Sequence, residues 1–576
     1  MTRDSMRSWV AYRIVVIKVG SPGSHVVDVP GTFIRLPSHF VESAGDIRCQ
    51  PHEFLKSHKS ETNGVQNGRK TMAAEMIFPR TSPEAEGIVS AGVLAFLEAA
   101  DETIHDLHSF MLLRHGRVVA EGWWSPYAPD YPHTLYSLSK SFVSTAIGLA
   151  AAEGRLSVDD AVITLLPDDR PLLVNEQQAA LRVRHLLTMT SGHDPETEGL
   201  MFRQPEGNWA KGFLSQPMIH PPGSHFYYEN GASYMLSAIV QQVTGMTVLD
   251  YLQPRLFAPL GIDKVTWSVG PRGINIGFTG LSLTTEAIAR FGQLYLQKGV
   301  WQGKQLLPTA WVEAATKRQV SNGANPDVDE EQGYGYQFWR IRYGAYRGDG
   351  AFGQFCEMWP EHDVVLAITG GKEGMEVIQD LIWEHLLPAT RPRALPTDDE
   401  SQQALYRKLS RLSIAVPQGQ PLSPLATQIS QRTYDFRAHE QNPTNLHFDF
   451  GHGPFFVTFA TITFDFTVSS AQGDGCICTI VDNRASHEVV CGHGHWRMGT
   501  TTVNSTDGHT LQPVAASGAW TADDTYEMQW CFVETAFRTT LICRFEEERI
   551  TVDWHENARF GEVKSLQLLG RVVMLS

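Results

Sequence analysis

Residues 133–157 read HTLYSLSKSFVSTAIGLAAAEGRLS, and the meaning of one serine and one lysine in this stretch decides how the whole chain is read. On a helix Ser137 and Lys140 are i and i+3 and share a face, with Cβ atoms about 5–6 Å apart. From Phe142 to Ala152 the residues are nearly all apolar, which predicts a helix buried on most sides, and Gly154 is a natural stop. Ser137 then stands at the start of that helix, where N–H groups and the positive end of the dipole suit an oxyanion forming on a substrate carbonyl. Lys140 lies one turn in, against apolar neighbours. Desolvation lowers a lysine pKa, and a neutral amine can take the proton of a serine hydroxyl. By itself S-x-x-K is weakly specific, and two solvated residues on a surface turn would spell the same.

Two later segments raise its weight. PPGSHFYYENGASYMLSAIVQQVTG places Tyr228 and Asn230 two apart, in a Pro-Gly-led turn just before a helix. A phenol and an amide there supply a proton relay and a polar anchor. YRGDGAFGQFCEMWP is a glycine-rich strand carrying Gly348, Gly350 and Gly353. Glycine inside a strand marks the close approach of a ligand or another backbone. The three segments in this order are a much rarer constellation than any one of them.

The 576 residues suggest two to four domains at roughly 100–200 residues each. A net charge of −16 argues against a general nucleic-acid binder. No apolar run reaches the ~18–20 residues of a membrane helix. Arg13 and Lys18 break the apolar part of the N-terminal stretch, which is read as no signal peptide and the protein as cytoplasmic. Seven cysteines, at 49, 356, 476, 478, 491, 531 and 543, are read as thiols rather than a disulfide framework.

Residues 1–75 are polar and turn-rich and read as a poorly structured extension. From 76 to 390 strands, then helices, then strands follow: a helix begun by Ser82-Pro83, a hairpin turned at His115-Gly116, and further helices punctuated by glycine. This predicts an α+β domain with an antiparallel sheet flanked by helices. Residues 391–430 hold prolines and an acidic run and read as a linker. Residues 431–576 are short β-branched and aromatic runs separated by turns, which predicts a separable C-terminal all-β domain, a sandwich or a small barrel.

LYSLSKSF, EGRLSVDDAVITLLP, LRVRHLLTMTSGHD, PPGSHFYYENGASY, GLSLTTEAIARFGQLYLQKGVWQGKQLLP and GYGYQFW together resemble the serine hydrolases related to class C β-lactamases, penicillin-binding proteins and 6-aminohexanoate-dimer hydrolases. The resemblance covers about residues 77–388 and implies that fold, with a helical subdomain. It implies Ser137 as the acylated nucleophile, Lys140 as general base and Tyr228 as proton relay. Asn230, Gly350, Ala351 and Gln354 become substrate-binding and oxyanion residues, the oxyanion hole being the N–H groups of Ser137 and Ala351. No cofactor and no metal are implied, and the partner is a small-molecule substrate, with no nucleic acid and no membrane.

One departure bears on substrate. Many members carry a basic residue where Gly348 stands here, and Asp349 adds an acid beside it. A small neutral ester or amide is therefore expected, against the alternatives of β-lactamase or D-alanyl peptidase activity or of a non-catalytic ligand-binding protein on the same fold. Two other clusters compete for attention. Cys491, His493 and His495 alternate as metal ligands could, although half-buried residues of a β domain do the same. Trp123-Trp124, Trp209 and Trp339 fit either a core or an apolar pocket.

Overall fold

The computed structural model describes residues 78–573 apart from 195–200, 203, 205, 206, 438, 440, 441, 443–445, 449–454, 468, 471, 472 and 561–564. The extension expected over residues 1–75, with Cys49, lies outside the described residues. Five helices organise the first part: α1 (Ser90–Thr103), α2 (Ser139–Ala152), α3 (Asn230–Thr244), α4 (Thr285–Leu296) and α5 (Asp399–Leu409). Six strands join them: β1 (Leu107–Arg114), β2 (Arg117–Trp123), β3 (Trp339–Arg340), β4 (Tyr346–Gly350), β5 (Gln354–Trp359) and β6 (Val364–Gly370).

The six strands form one antiparallel sheet in the order β2-β1-β6-β5-β4-β3. Side chains alternate across it. Phe110, Leu112, Phe355, Leu366 and Ile368 face α1 and the helical residues around Ile378 and Ile382. On the other face α4 lies close, because Gly292 leaves room that a Cβ would fill 2.7 Å from Val365 Cγ1 and 3.0 Å from Cys356 Sγ. This is the α+β architecture expected from the strand–helix–strand order.

Local details depart from the sequence reading for identifiable reasons. The helix expected from Ser82-Pro83 is broken at Gly87, which adopts φ 75°, so a short turn at Glu84–Glu86 precedes α1. Glu84 Oε1 then accepts from Ser90 N–H at 2.9 Å and helps to start α1. Within the expected linker the acidic run is helical: Asp398 accepts from Ser401 N–H at 3.1 Å, and α5 is tied to α1 by Lys408 and Asp101 at 2.6 Å.

Nine strands of the second part form a ring: β7 (Thr433–Asp435), β8 (Phe459–Asp465), β9 (Gly473–Asp482), β10 (Ser486–Gly492), β11 (Gln512–Ala522), β12 (Thr525–Cys531), β13 (Arg538–Glu546), β14 (Arg549–Glu556) and β15 (Ser565–Val572). They pair as β8-β7-β15-β14-β13-β12-β11-β10-β9, and β9 returns to β8. The ring is closed, so the β part is a barrel rather than a sandwich. Every pairing is antiparallel except β10 with β11, which meet in parallel at Gly492 and Ser517. Phe464, Trp520, Met528, Trp530, Leu541 and Cys543 are buried in its core.

The sheet part and the barrel share buried surface. Tyr136 and Phe352 pack into the barrel's core, while Ala515, Cys531 and Val533 of the barrel pack into the core beneath α1. Arg538 makes a bidentate ion pair to Asp106 at 2.8 and 3.0 Å. No helix among the described residues is long and apolar enough to cross a membrane.

Candidate active site

α2 begins two residues after Ser137: Tyr136–Leu138 is a single 3₁₀ turn that runs into α2 at Ser139. Tyr136 holds φ 47°, an unusual state for a bulky side chain and one that costs about 1–3 kcal/mol. The turn lifts Ser137 to the head of the helix. From Ser139 to Ala150 every residue of α2 is buried.

Lys140 Nζ lies 3.0 Å from Ser137 Oγ, 2.8 Å from Asn230 Oδ1 and 3.5 Å from the carbonyl of Phe278. Lys140 is 1% exposed. In all three contacts Nζ is placed to donate, and the buried amine is held against the Ser137 hydroxyl. The neighbouring serines are committed elsewhere: Ser139 Oγ accepts from Leu281 N–H at 3.2 Å, and Ser141 donates to the Gln337 carbonyl at 2.8 Å.

Asn230 is the first residue of α3, and Tyr228 stands two residues before it, ahead of Glu229, whose backbone is extended. The Tyr228 ring stacks on Trp339 at 5.2 Å, with Tyr334 edge-on at 6.2 Å and Lys140 Nζ 4.7 Å from its centroid. Phe226 continues this aromatic wall at 5.3 Å from Tyr334. Of the tryptophans singled out in the sequence, Trp339 therefore stands against Tyr228. Trp124 is buried and donates to Asp101 at 2.7 Å, and Trp209 packs on Phe202 and Tyr234. The Phe278 carbonyl carried no signal in the sequence.

β4 reaches the turn through its glycine face. A Cβ on Gly348 would sit 2.5 Å from Ser141 Oγ and 2.6 Å from Leu138 Cδ1. One on Gly350 would sit 2.0 Å from the Leu135 carbonyl oxygen and 3.2 Å from Leu138 N. The strand thus lies backbone against backbone on the turn, and Ala351 follows beside it, half-buried. Phe352, the next residue, has φ 68°.

Two polar side chains of this stretch have partners within the fold. Gln354 is fully buried and donates to the carbonyls of Ala351 and Gly370, both at 2.9 Å. It braces the Ala351 turn from behind. Asp349 adds no bare charge to the cleft: it points away from the glycine face and pairs with Arg347 Nε at 2.9 Å. Arg347 is itself 1% exposed, bound to Glu330 at 2.8 Å and to Gln379, so it is not placed to meet a ligand. Burial in this network raises the Asp349 pKa and pushes Glu357 up to about 7.

Behind the turn, His133 donates from Nδ1 to the Thr134 carbonyl at 2.9 Å, since a carbonyl can only accept. Its Nε2 then accepts from Nδ1–H of His108 at 3.0 Å. Burial holds both imidazoles neutral, His133 down at about 4 and His108 well below the usual range. Far away, Cys491 is buried in the barrel, while His493 and His495 each direct Nδ1 to a backbone carbonyl. Among the described residues no three His, Cys, Asp or Glu side chains are grouped to hold a metal.

Residues 107–380 match the family model described as Beta-lactamase. The 6-aminohexanoate-dimer hydrolase of Paenarthrobacter ureafaciens is 26% identical over 287 residues, covering 46% of this chain and 72% of that protein. The D-aminopeptidase of Brucella anthropi is 30% identical over 168 residues, covering 27% of this chain and 31% of that protein. A solved penicillin-binding protein homologue from Pyrococcus abyssi shares 15% identity at a TM-score of 0.43, covering 84% of this chain and 100% of its own.

Proposed function

Because this chain belongs, through residues 107–380, to the β-lactamase-related serine hydrolases, we propose that it hydrolyses a small neutral ester or amide through an acyl-enzyme on Ser137. The observation that carries the reading is the bond set of Lys140. Nζ lies 3.0 Å from Ser137 Oγ and is anchored by Asn230 Oδ1 at 2.8 Å and the Phe278 carbonyl at 3.5 Å, so on losing one proton the amine has its lone pair beside the hydroxyl. Lys140 takes the hydroxyl proton as Ser137 Oγ attacks the substrate carbonyl. The developing oxyanion receives hydrogen bonds from the N–H groups of Ser137 and Ala351. Tyr228, stacked beside Lys140, passes the proton to the leaving alcohol or amine. Water then repeats the attack on the acyl-serine and regenerates the enzyme.

The substrate class rests on what surrounds the serine. Tyr228, Trp339, Tyr334 and Phe226 form an aromatic wall suited to an apolar chain. Gly348 has no room for a side chain, so no cation stands there to meet a carboxylate. A relative whose name gives an amide dimer as substrate supports amides alongside esters.

The reading is tested by intact-mass measurement after treatment with a fluorophosphonate. One adduct on Ser137 is expected, and Ser137→Ala should take no label and turn over no nitrophenyl butyrate. Turnover of the butyrate ester should exceed that of nitrocefin in kcat/KM. Labelling elsewhere with activity retained in Ser137→Ala removes the acyl-enzyme; nitrocefin as the better substrate removes the neutral-substrate assignment.

A further inference from the structure

The residues flanking the two oxyanion donors are gripped from the barrel. Tyr136 precedes Ser137 and Phe352 follows Ala351, and both hold positive φ, 47° and 68°. Their rings meet edge to face at 5.3 Å. Two barrel residues close on that pair. Phe537, at the foot of β13, lies 5.5 Å from Phe352 and 6.3 Å from Tyr136. Phe560, after β14, lies 4.7 Å from Phe352 and 5.7 Å from Tyr136.

Hydrogen bonds fix the same elements. The loop between β12 and β13 accepts from Thr134 N–H at the Glu534 carbonyl, at 2.8 Å, and Ala536 N–H donates to the Tyr136 hydroxyl at 3.3 Å. Asn557 donates to the carbonyls of Ala536 and Gly371, each at 2.9 Å. Gly371 follows β6, and its neighbour Lys372 donates from N–H to the Phe352 carbonyl at 3.1 Å. Arg538 secures the loop's far side on Asp106. The barrel thus touches the chain on both sides of the gap in which an oxyanion would sit.

We infer that the C-terminal barrel is a positioning element for the oxyanion hole: Phe537 and Phe560 hold Tyr136 and Phe352 in left-handed backbone states so that the N–H groups of Ser137 and Ala351 converge on one point. This rests on the acyl-enzyme reading of Ser137. Neither phenylalanine touches substrate. Oxyanion stabilisation acts on the transition state, so loosening the clamp lowers kcat and leaves ground-state binding largely alone.

The test uses the full chain. Phe537→Ala and Phe560→Ala are compared with Phe560→Leu, a milder change at a half-buried position, and with Phe464→Ala, which removes a buried ring of the barrel core away from the turn. Melting temperature, kcat and KM for the butyrate ester, and the inhibition constant of an alkylboronic acid, whose serine adduct mimics the tetrahedral oxyanion, are measured for each. The clamp variants should lose about 10–100-fold in kcat and a similar factor in boronate affinity, with KM within about twofold; losing one donor outright costs roughly 10²–10³. Phe464→Ala, at a comparable loss of melting temperature, should keep both. A folded Phe560→Leu with wild-type kcat and boronate affinity, or losses that merely track melting temperature and appear equally in Phe464→Ala, overturn the inference. Ser137→Ala separates the levels: inactive with normal clamp variants, only the clamp falls; active, the acyl-enzyme and the clamp fall together.

Discussion

At the residue scale the site depends on which atoms each side chain is free to offer. Lys140→Arg keeps a cation, but guanidinium cannot serve as a base at ordinary pH. Its kcat/KM on a butyrate ester should fall by about 100-fold or more, the usual weight of a general base; a steady-state assay showing most activity retained would reassign the base. The His108–His133 pair gives a second outcome. Both are neutral in the fold, while in the unfolded chain each takes a proton near its ordinary value of about 6.5. Between there and about 4 the unfolded chain binds more protons, so stability falls as pH falls through that window. Glu357, raised to about 7, acts in the opposite sense, yet it is common to wild type and variant. His133→Asn should therefore lose less melting temperature than wild type between pH 7.5 and 5; an equal or greater loss removes the argument. Ser137, Lys140 and Asn230 were legible in the sequence because short spacings before apolar helices fix them locally. The burial of Gln354 was not legible, because nothing in GAFGQ says which way a strand residue faces. Phe537 and Phe560 were invisible there, since each acts across roughly two hundred or more residues of intervening chain.

At the element scale the decisive feature is a strand laid on a turn. β4 was readable as glycine-rich, but its alternation separates two jobs: Gly348 and Gly350 admit the turn, while Arg347 and Asp349 neutralise each other on the opposite face. Gly350→Ala places a methyl 2.0 Å from a carbonyl oxygen that no side-chain rotation can move. It should cost about 1–3 kcal/mol or more and most of the activity. Gly154→Ala is the matched control: its φ of +70° penalises any side chain, yet nothing lies within 4 Å. Thermal denaturation should show a loss of about 1 kcal/mol with kcat intact. If both variants behave alike, close approach is not what glycine provides at 350. The acidic run at 398–400 shows the same limit in reverse, since charge and proline suggest open chain while a cap and contacts to α1 make helix α5.

At the scale of the molecule, a sequence reading divides the chain where composition changes, and the structure lets buried side chains cross that division. Arg393 lies exposed in the segment before α5. Brief trypsin treatment is expected to nick there, and the two pieces should still co-elute on gel filtration in native buffer and separate only in denaturant. Two independently eluting folded pieces would show the parts to be autonomous after all. Strand order adds a consequence in time. β7, the first strand of the ring, pairs with β15, the last. During synthesis the ring therefore stays open until residues 565–572 have left the ribosome, long after Ser137, Lys140 and Asn230 have emerged. Until then the nascent chain carries Ser137, Lys140 and Asn230 with no closed ring behind them, so on the clamp inferred above the order of translation itself postpones full activity until the closing strand has been made.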